Sequence, residues 1–132
     1  MTTINPPSTD IKDLLESSDC GLSLVAGTNL FIGITPVTPN NVTILVDSGG
    51  LDQLRYGMER PNIQVLVRNN DYLTGYELIK DIKYYLNEKR NLIQGGARYI
   101  CILARSEIAY LGLDPKNRHE WSLNFQIHRT VN

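Results

Sequence analysis

The chain is poor in the residues on which small proteins usually build chemistry. Its 132 residues include two cysteines, two histidines and one tryptophan. Cys20 and Cys101 stand far apart, without the close pairs that hold a metal. They are expected to be two buried thiols in a reducing cytosol rather than a disulfide. His119 and His128 are separated by an odd number of positions. Along one strand they therefore point to opposite faces and form no joint metal site; both are expected at the surface or an edge. No serine stands in a nucleophile-elbow context. Gly49-Gly50 and Gly95-Gly96 lack the spacing and the following lysine of a phosphate loop, and read as turns. Asp10, Asp13 and Glu16 recur every three residues on one helix, and read as a solvated acidic face. No cofactor, metal or catalytic residue is expected, and the chain is not expected to be an enzyme.

Long apolar runs are missing too. None approaches the roughly 20 residues that span a bilayer. The opening residues MTTINPPSTD show no basic region followed by an apolar one, so no signal peptide is expected, and the chain is expected to be made in the cytoplasm and to stay soluble until it assembles with something. Charge of one sign is also lacking. A net charge of −1 argues against a protein whose main work is gripping nucleic acid, because phosphate contacts need clustered Lys and Arg. It does not argue against a surface that DNA slides past.

What is present suits one folded domain spanning residues 1–132, with about residues 1–8 a flexible leader. Apolar residues make up 42% and charged residues 20%, a globular composition. The organising stretch is Pro61 to Arg90. Ile63, Val65 and Val67 alternate with Gln64, Leu66 and Arg68, the period of a half-buried strand. Asn69, Asn70 and Asp71 offer oxygens to a helix start. From Tyr72 the period changes to about 3.6, with Tyr72, Tyr76, Ile79, Ile82 and Leu86 on one side and Glu77, Lys80, Asp81, Asn87 and Glu88 on the other.

Elsewhere, Ser8 or Thr9 caps a short first helix with Ile11, Leu14 and Leu15 on its apolar stripe, ended by Gly21. Asn29–Thr35 and Val42–Asp47 read as two strands joined as an antiparallel hairpin. Ser48 to Arg60 reads as a mobile loop whose apolar side chains can order against a partner. Tyr99–Arg105 is an interior strand. Ser106–Gly112 is a turn or short helix, and Asp114–Asn117 is a turn. In His119–Thr130, Trp121, Leu123, Phe125 and Ile127 alternate with polar residues, so one side is buried. The expected fold is α+β, a mainly antiparallel β-sheet with one long helix packed on one face and a short N-terminal helix.

Several strings resemble a known group. RPNIQVLVRNNDYLTGYELIKDIKYYLNEK resembles the central segment of the minor capsid and tail-terminator proteins of long-tailed bacteriophages, through Pro61, Arg68, Asp71, Tyr72, Gly75 and Tyr76. YLGLDPKNRHEWSLNFQIHR resembles the closing segment, with Phe125, Ile127 and Arg129 in its last strand. The similarity covers roughly Pro61 to Arg129.

The resemblance implies a structural virion protein that forms a ring, commonly a hexamer, at the head-proximal end of the tail. It implies contacts with its own copies, the tail tube protein and head-completion or connector proteins, with DNA passing through the ring without specific binding. The contact residues expected are Leu51, Leu54, Tyr56 and Met58 in the loop, and Asp114, Lys116, Asn117 and Arg118 in the last turn. A head-completion or adaptor protein docked to the portal is the alternative within the same virion. A small enzyme is the alternative outside it.

Overall fold

The computed structural model describes residues 5–51 and 58–131. Two α-helices, a short 3-10 turn at Ser18–Cys20 and seven strands make up the secondary structure of these residues. Helix α1 is Pro7–Glu16; strands β1 Leu30–Ile32, β2 Val42–Leu51 and β3 Met58–Asn69 follow. Helix α2 is Tyr72–Leu86, followed by β4 Lys89–Gln94, β5 Ala97–Ala104, β6 Ala109–Leu113 and β7 His119–Val131. The strands form a single sheet in the order β1-β2-β3-β7-β5-β4. Strand β6 also pairs with β7, beyond the end of β5. The fold is α+β and mostly strand, as the residue pattern implies.

Strand β7 is the centre. Along one edge it pairs with β3 from Met58↔Thr130 to Asn69↔His119. Its other edge is shared: β5 takes Phe125 to Val131, and β6 takes His119 to Ser122. Its core-facing residues Trp121, Leu123, Phe125 and Ile127 meet Ile63, Val65 and Val67 of β3 and Ile79, Ile82 and Leu86 of α2 in one apolar cluster. Full burial of a side chain such as Phe125 contributes about 2–3 kcal/mol. The start of α2 is held by Asp71, whose carboxylate accepts the backbone N–H of Thr74 at 2.8 Å and its hydroxyl at 2.6 Å.

Several boundaries differ from expectation for identifiable reasons. Strands β1 and β2 are parallel, not a hairpin. The chain from Gly33 to Asn41 doubles back before re-entering the sheet, and side chains from elsewhere hold it, as described below. Strand β2 runs past Asp47 to Leu51 through an irregularity between Asp47 and Gly50. Strand β3 begins at Met58. Much of the expected mobile loop is therefore paired backbone, and the rest, residues 52–57, lies outside the described residues. Strand β4 was not expected. Its sequence KRNLIQ is mostly polar because it is an exposed edge. Strand β6 replaces the expected turn or helix at Ser106–Gly112. Helix α1 starts at Pro7, and Ser8 is buried inside it rather than capping it. Cys20 and Cys101 are free and half-buried rather than fully buried.

Candidate assembly surface

Two side-chain assemblies sit at opposite ends of the β3–β7 pair. The ends lie roughly 36 Å apart for a strand of this length, at about 3.3 Å per residue.

At the Asn69–His119 end, two buried arginines organise the loop that follows β1. Arg68 donates from Nη2 to the carbonyls of Pro36 and Pro39 at 2.6 and 2.8 Å, and from Nε to that of Asn40 at 3.3 Å. Arg118 donates from Nη1 to the carbonyl of Val37. Both guanidiniums are almost fully buried. They supply donors to carbonyls of a proline-interrupted loop that has no strand beside it. Burial, and then the neighbouring Arg118 charge, lower the Arg68 pKa. The counter-charge is Asp114. Its Oδ2 accepts from Nε and Nη2 of Arg118, both at 2.7 Å, and its Oδ1 accepts the backbone N–H of Lys116 and of Arg118. The Arg118 side-chain bonds come first, outweighing the opposing effect of burial, and backbone N–H donors add to them. Together they push the Asp114 carboxyl down to about 2.

Beside this turn lies an aromatic cluster. The rings of Tyr110 and Trp121 are centred 4.8 Å apart, those of Tyr72 and Trp121 4.9 Å, and those of Tyr72 and Tyr110 5.2 Å. Tyr76 packs on Trp121 from the next turn of α2, and the Tyr110 hydroxyl lies 2.9 Å from Nδ1 of His119. Gly75 makes this possible: a Cβ there would stand 3.1 Å from the Trp121 ring. Trp121 is buried while Tyr72 and Tyr110 against it are exposed, as are Leu73 of α2 and Leu111 and Leu113 of β6. Tyr72 was expected on the buried stripe; it instead covers the edge of Trp121 and faces outward.

At the opposite end a buried polar network ties α1 to the sheet. The Tyr99 hydroxyl donates to Oδ2 of Asp10, and Nη1 of Arg129 donates to the Tyr99 hydroxyl at 3.2 Å and to the carbonyl of Asn5 at 2.8 Å. Nε of Arg129 donates to Glu59 at 2.7 Å. Ser8 completes the attachment, donating its N–H and hydroxyl to the Asp47 carboxylate. Burial, then the bond to Asp10, raise the Tyr99 pKa. For Arg129, burial opposes the charge, but bonds to Glu59 and Tyr99 outweigh it and raise the pKa. Asp10 is therefore part of the core and not of a solvated acidic face. Asp13 and Glu16 do face outward, pairing with Lys12.

The expected contact residues that are among the described ones fall at these two ends. Leu51 is exposed at the end of β2, and Met58 is half-buried at the start of β3. Leu51 also lines a shallow groove with Pro61 and Arg129. Leu54 and Tyr56 lie outside the described residues. Lys116 and Asn117 are exposed at the tip of the last turn, whereas Asp114 and Arg118 are engaged with each other beneath it. The buried roles of Asp10, Arg68, Arg118 and Arg129 were not anticipated. One signal existed for Arg129: it continues the core-facing alternation of Trp121, Leu123, Phe125 and Ile127. Among the described residues no group of three or more His, Cys, Asp and Glu is placed to hold a metal ion, and no helix is long and apolar enough to cross a membrane.

The profile of a family described as "Bacteriophage tail terminator protein" matches residues 12–131. The chain belongs to that family. It is thus a structural protein of the phage tail and neck, a component of the virion that assembles with tail and head proteins. The fold agrees with that of a chain in a structure titled "Virion of native gene transfer agent (GTA) particle". The TM-score is 0.71 at 11% identity, over 94% of each chain. No curated protein sequence matches this terminator.

Proposed function

We propose that this terminator acts by shape and not by bond chemistry, as one subunit of a closed ring, a hexamer, seated on the head-proximal end of the tail tube. The ring ends tube growth and offers a surface to the head's connector. The match to the terminator family over nearly the whole chain carries this reading. The two ends of the β3–β7 pair suit an adaptor with a different neighbour at each end. Leu51 and Met58 serve one end. Lys116 and Asn117, on the turn held by Asp114 and Arg118, serve the other. A net charge of −1 suits a ring through which DNA passes without being held.

Electron microscopy of the purified protein, alone and mixed with tail tubes, tests the ring. Rings capping one end of each tube are expected. Monomers that leave tube ends bare would overturn it.

A further inference from the structure

The sheet has three outer edges among the described residues, and they differ in charge. Strand β4 carries Lys89 and Arg90 and lies beside Arg98 of β5, the charged dress that keeps sheet edges from pairing with other chains. Strand β6 has β7 on one side and, among the described residues, no strand on the other. The run Ile108–Leu113 that contains it has no charged residue. Leu111 is 54% and Leu113 55% exposed. Tyr110, next to Leu111, is fixed from below by Trp121, Tyr72 and His119. A rigid aromatic followed by two exposed leucines, already ordered before contact, has the composition and preorganisation of an interface anchor. At the opposite end of the sheet, β1, bridged at Leu30 by Ala26, lies in a run from Leu22 to Val46 that contains no charged residue at all. Val25 and Ile34, just before and just after β1, are exposed at 52% and 63%.

We infer that these two charge-free edges are the two halves of one contact, the β6 edge of one copy docking on the β1 edge of the next. The inference rests on the ring reading and specifies its seam. Two different patches on opposite edges make a head-to-tail contact, and head-to-tail contacts are those that close into rings. A single self-matching patch would stop at a dimer. The polar β4 edge stays outside the seam.

The test uses three variants of the full chain: Leu111→Asp with Leu113→Asp on β6, Val25→Asp with Ile34→Asp beside β1, and Ile93→Asp on β4 as control. All change exposed side chains, so each should keep the wild-type circular dichroism spectrum and melt within a few degrees of it. Size-exclusion chromatography with light scattering, and microscopy on tail tubes, then read assembly. The first two variants should be monomeric alone and absent from tube ends, whereas Ile93→Asp should assemble as wild type does. Mixing the first two leaves one intact pair of edges, so the mixture should yield dimers and nothing larger. Rings that persist in either edge variant, or a mixture that stays monomeric, would overturn the seam while leaving the ring standing. A wild type that forms no ring, alone or on tubes, would overturn the ring reading itself. A folded-state spectrum lost in either variant would show that the edge is core rather than docking surface, and would equally sink the inference.

Discussion

Replacing Asp10 by alanine is a demanding test of the fold, because a solvent-facing carboxylate and a buried anchor predict opposite results. Asp10 is fully buried and accepts from the Tyr99 hydroxyl and from Nδ2 of Asn5. It also stands 3.7 Å from Nη1 of Arg129. Removing one member of a buried charged group typically costs about 3–5 kcal/mol. Arg129 keeps Glu59 and the Asn5 carbonyl, so the lower end applies, about 3 kcal/mol. For a domain of this size that lowers Tm by about 10 °C. Tyr99→Phe removes only the hydroxyl and should cost about 1–2 kcal/mol. The double variant should cost about 1 kcal/mol less than the sum, since the group orphaned by the first change is deleted by the second. Urea unfolding followed by circular dichroism measures all three. An Asp10→Ala protein within 0.5 kcal/mol of wild type, about the ordinary range for a surface change, would refute the argument.

Other consequences follow from the same geometry. The folded Asp114 carboxyl sits near 2, below its ordinary value of about 3.9, so its stabilisation is present above pH 4 and is lost as pH falls towards 2. Asp114→Asn should melt lower than wild type at pH 7, and its Tm should fall less steeply between pH 4 and 2; parallel melting curves would contradict this. Tyr99 has a raised pKa, so its stabilisation holds below about pH 10 and is lost above it; Tyr99→Phe should flatten that alkaline loss in a pH series of thermal melts. Gly75→Ala should shift the fluorescence of Trp121, the single tryptophan, because the new Cβ meets its ring; an unchanged spectrum would count against the packing. Leu123→Ala, fully buried in the central strand, should cost about 2–5 kcal/mol in urea unfolding.

The elements with strong periods were legible from the residues. In β7 the alternation from Trp121 to Ile127 matched the observed buried face, and in α2 the spacing of Ile79, Ile82 and Leu86 placed them in the core. What escaped has two physical causes. Edge strands bury little, so neither KRNLIQ of β4 nor AYLGL of β6 shows an apolar alternation to read. Charged residues are normally outside, so Asp10 and Arg68 gave no local sign of burial; their partners are far away in sequence, Tyr99 for Asp10 and Pro36 for Arg68. The parallel pairing of β1 and β2 was hidden for the same reason. It depends on a loop held by Arg68 and Arg118, which no local pattern encodes.

The central claim, that this protein ends tail growth, is tested most directly by tail length. In lysates of a phage lacking the chain, electron micrographs should show tails of widely varying and excessive length, unjoined to heads. Tails of uniform normal length beside heads that have leaked their DNA would contradict the account and place the protein at the head instead.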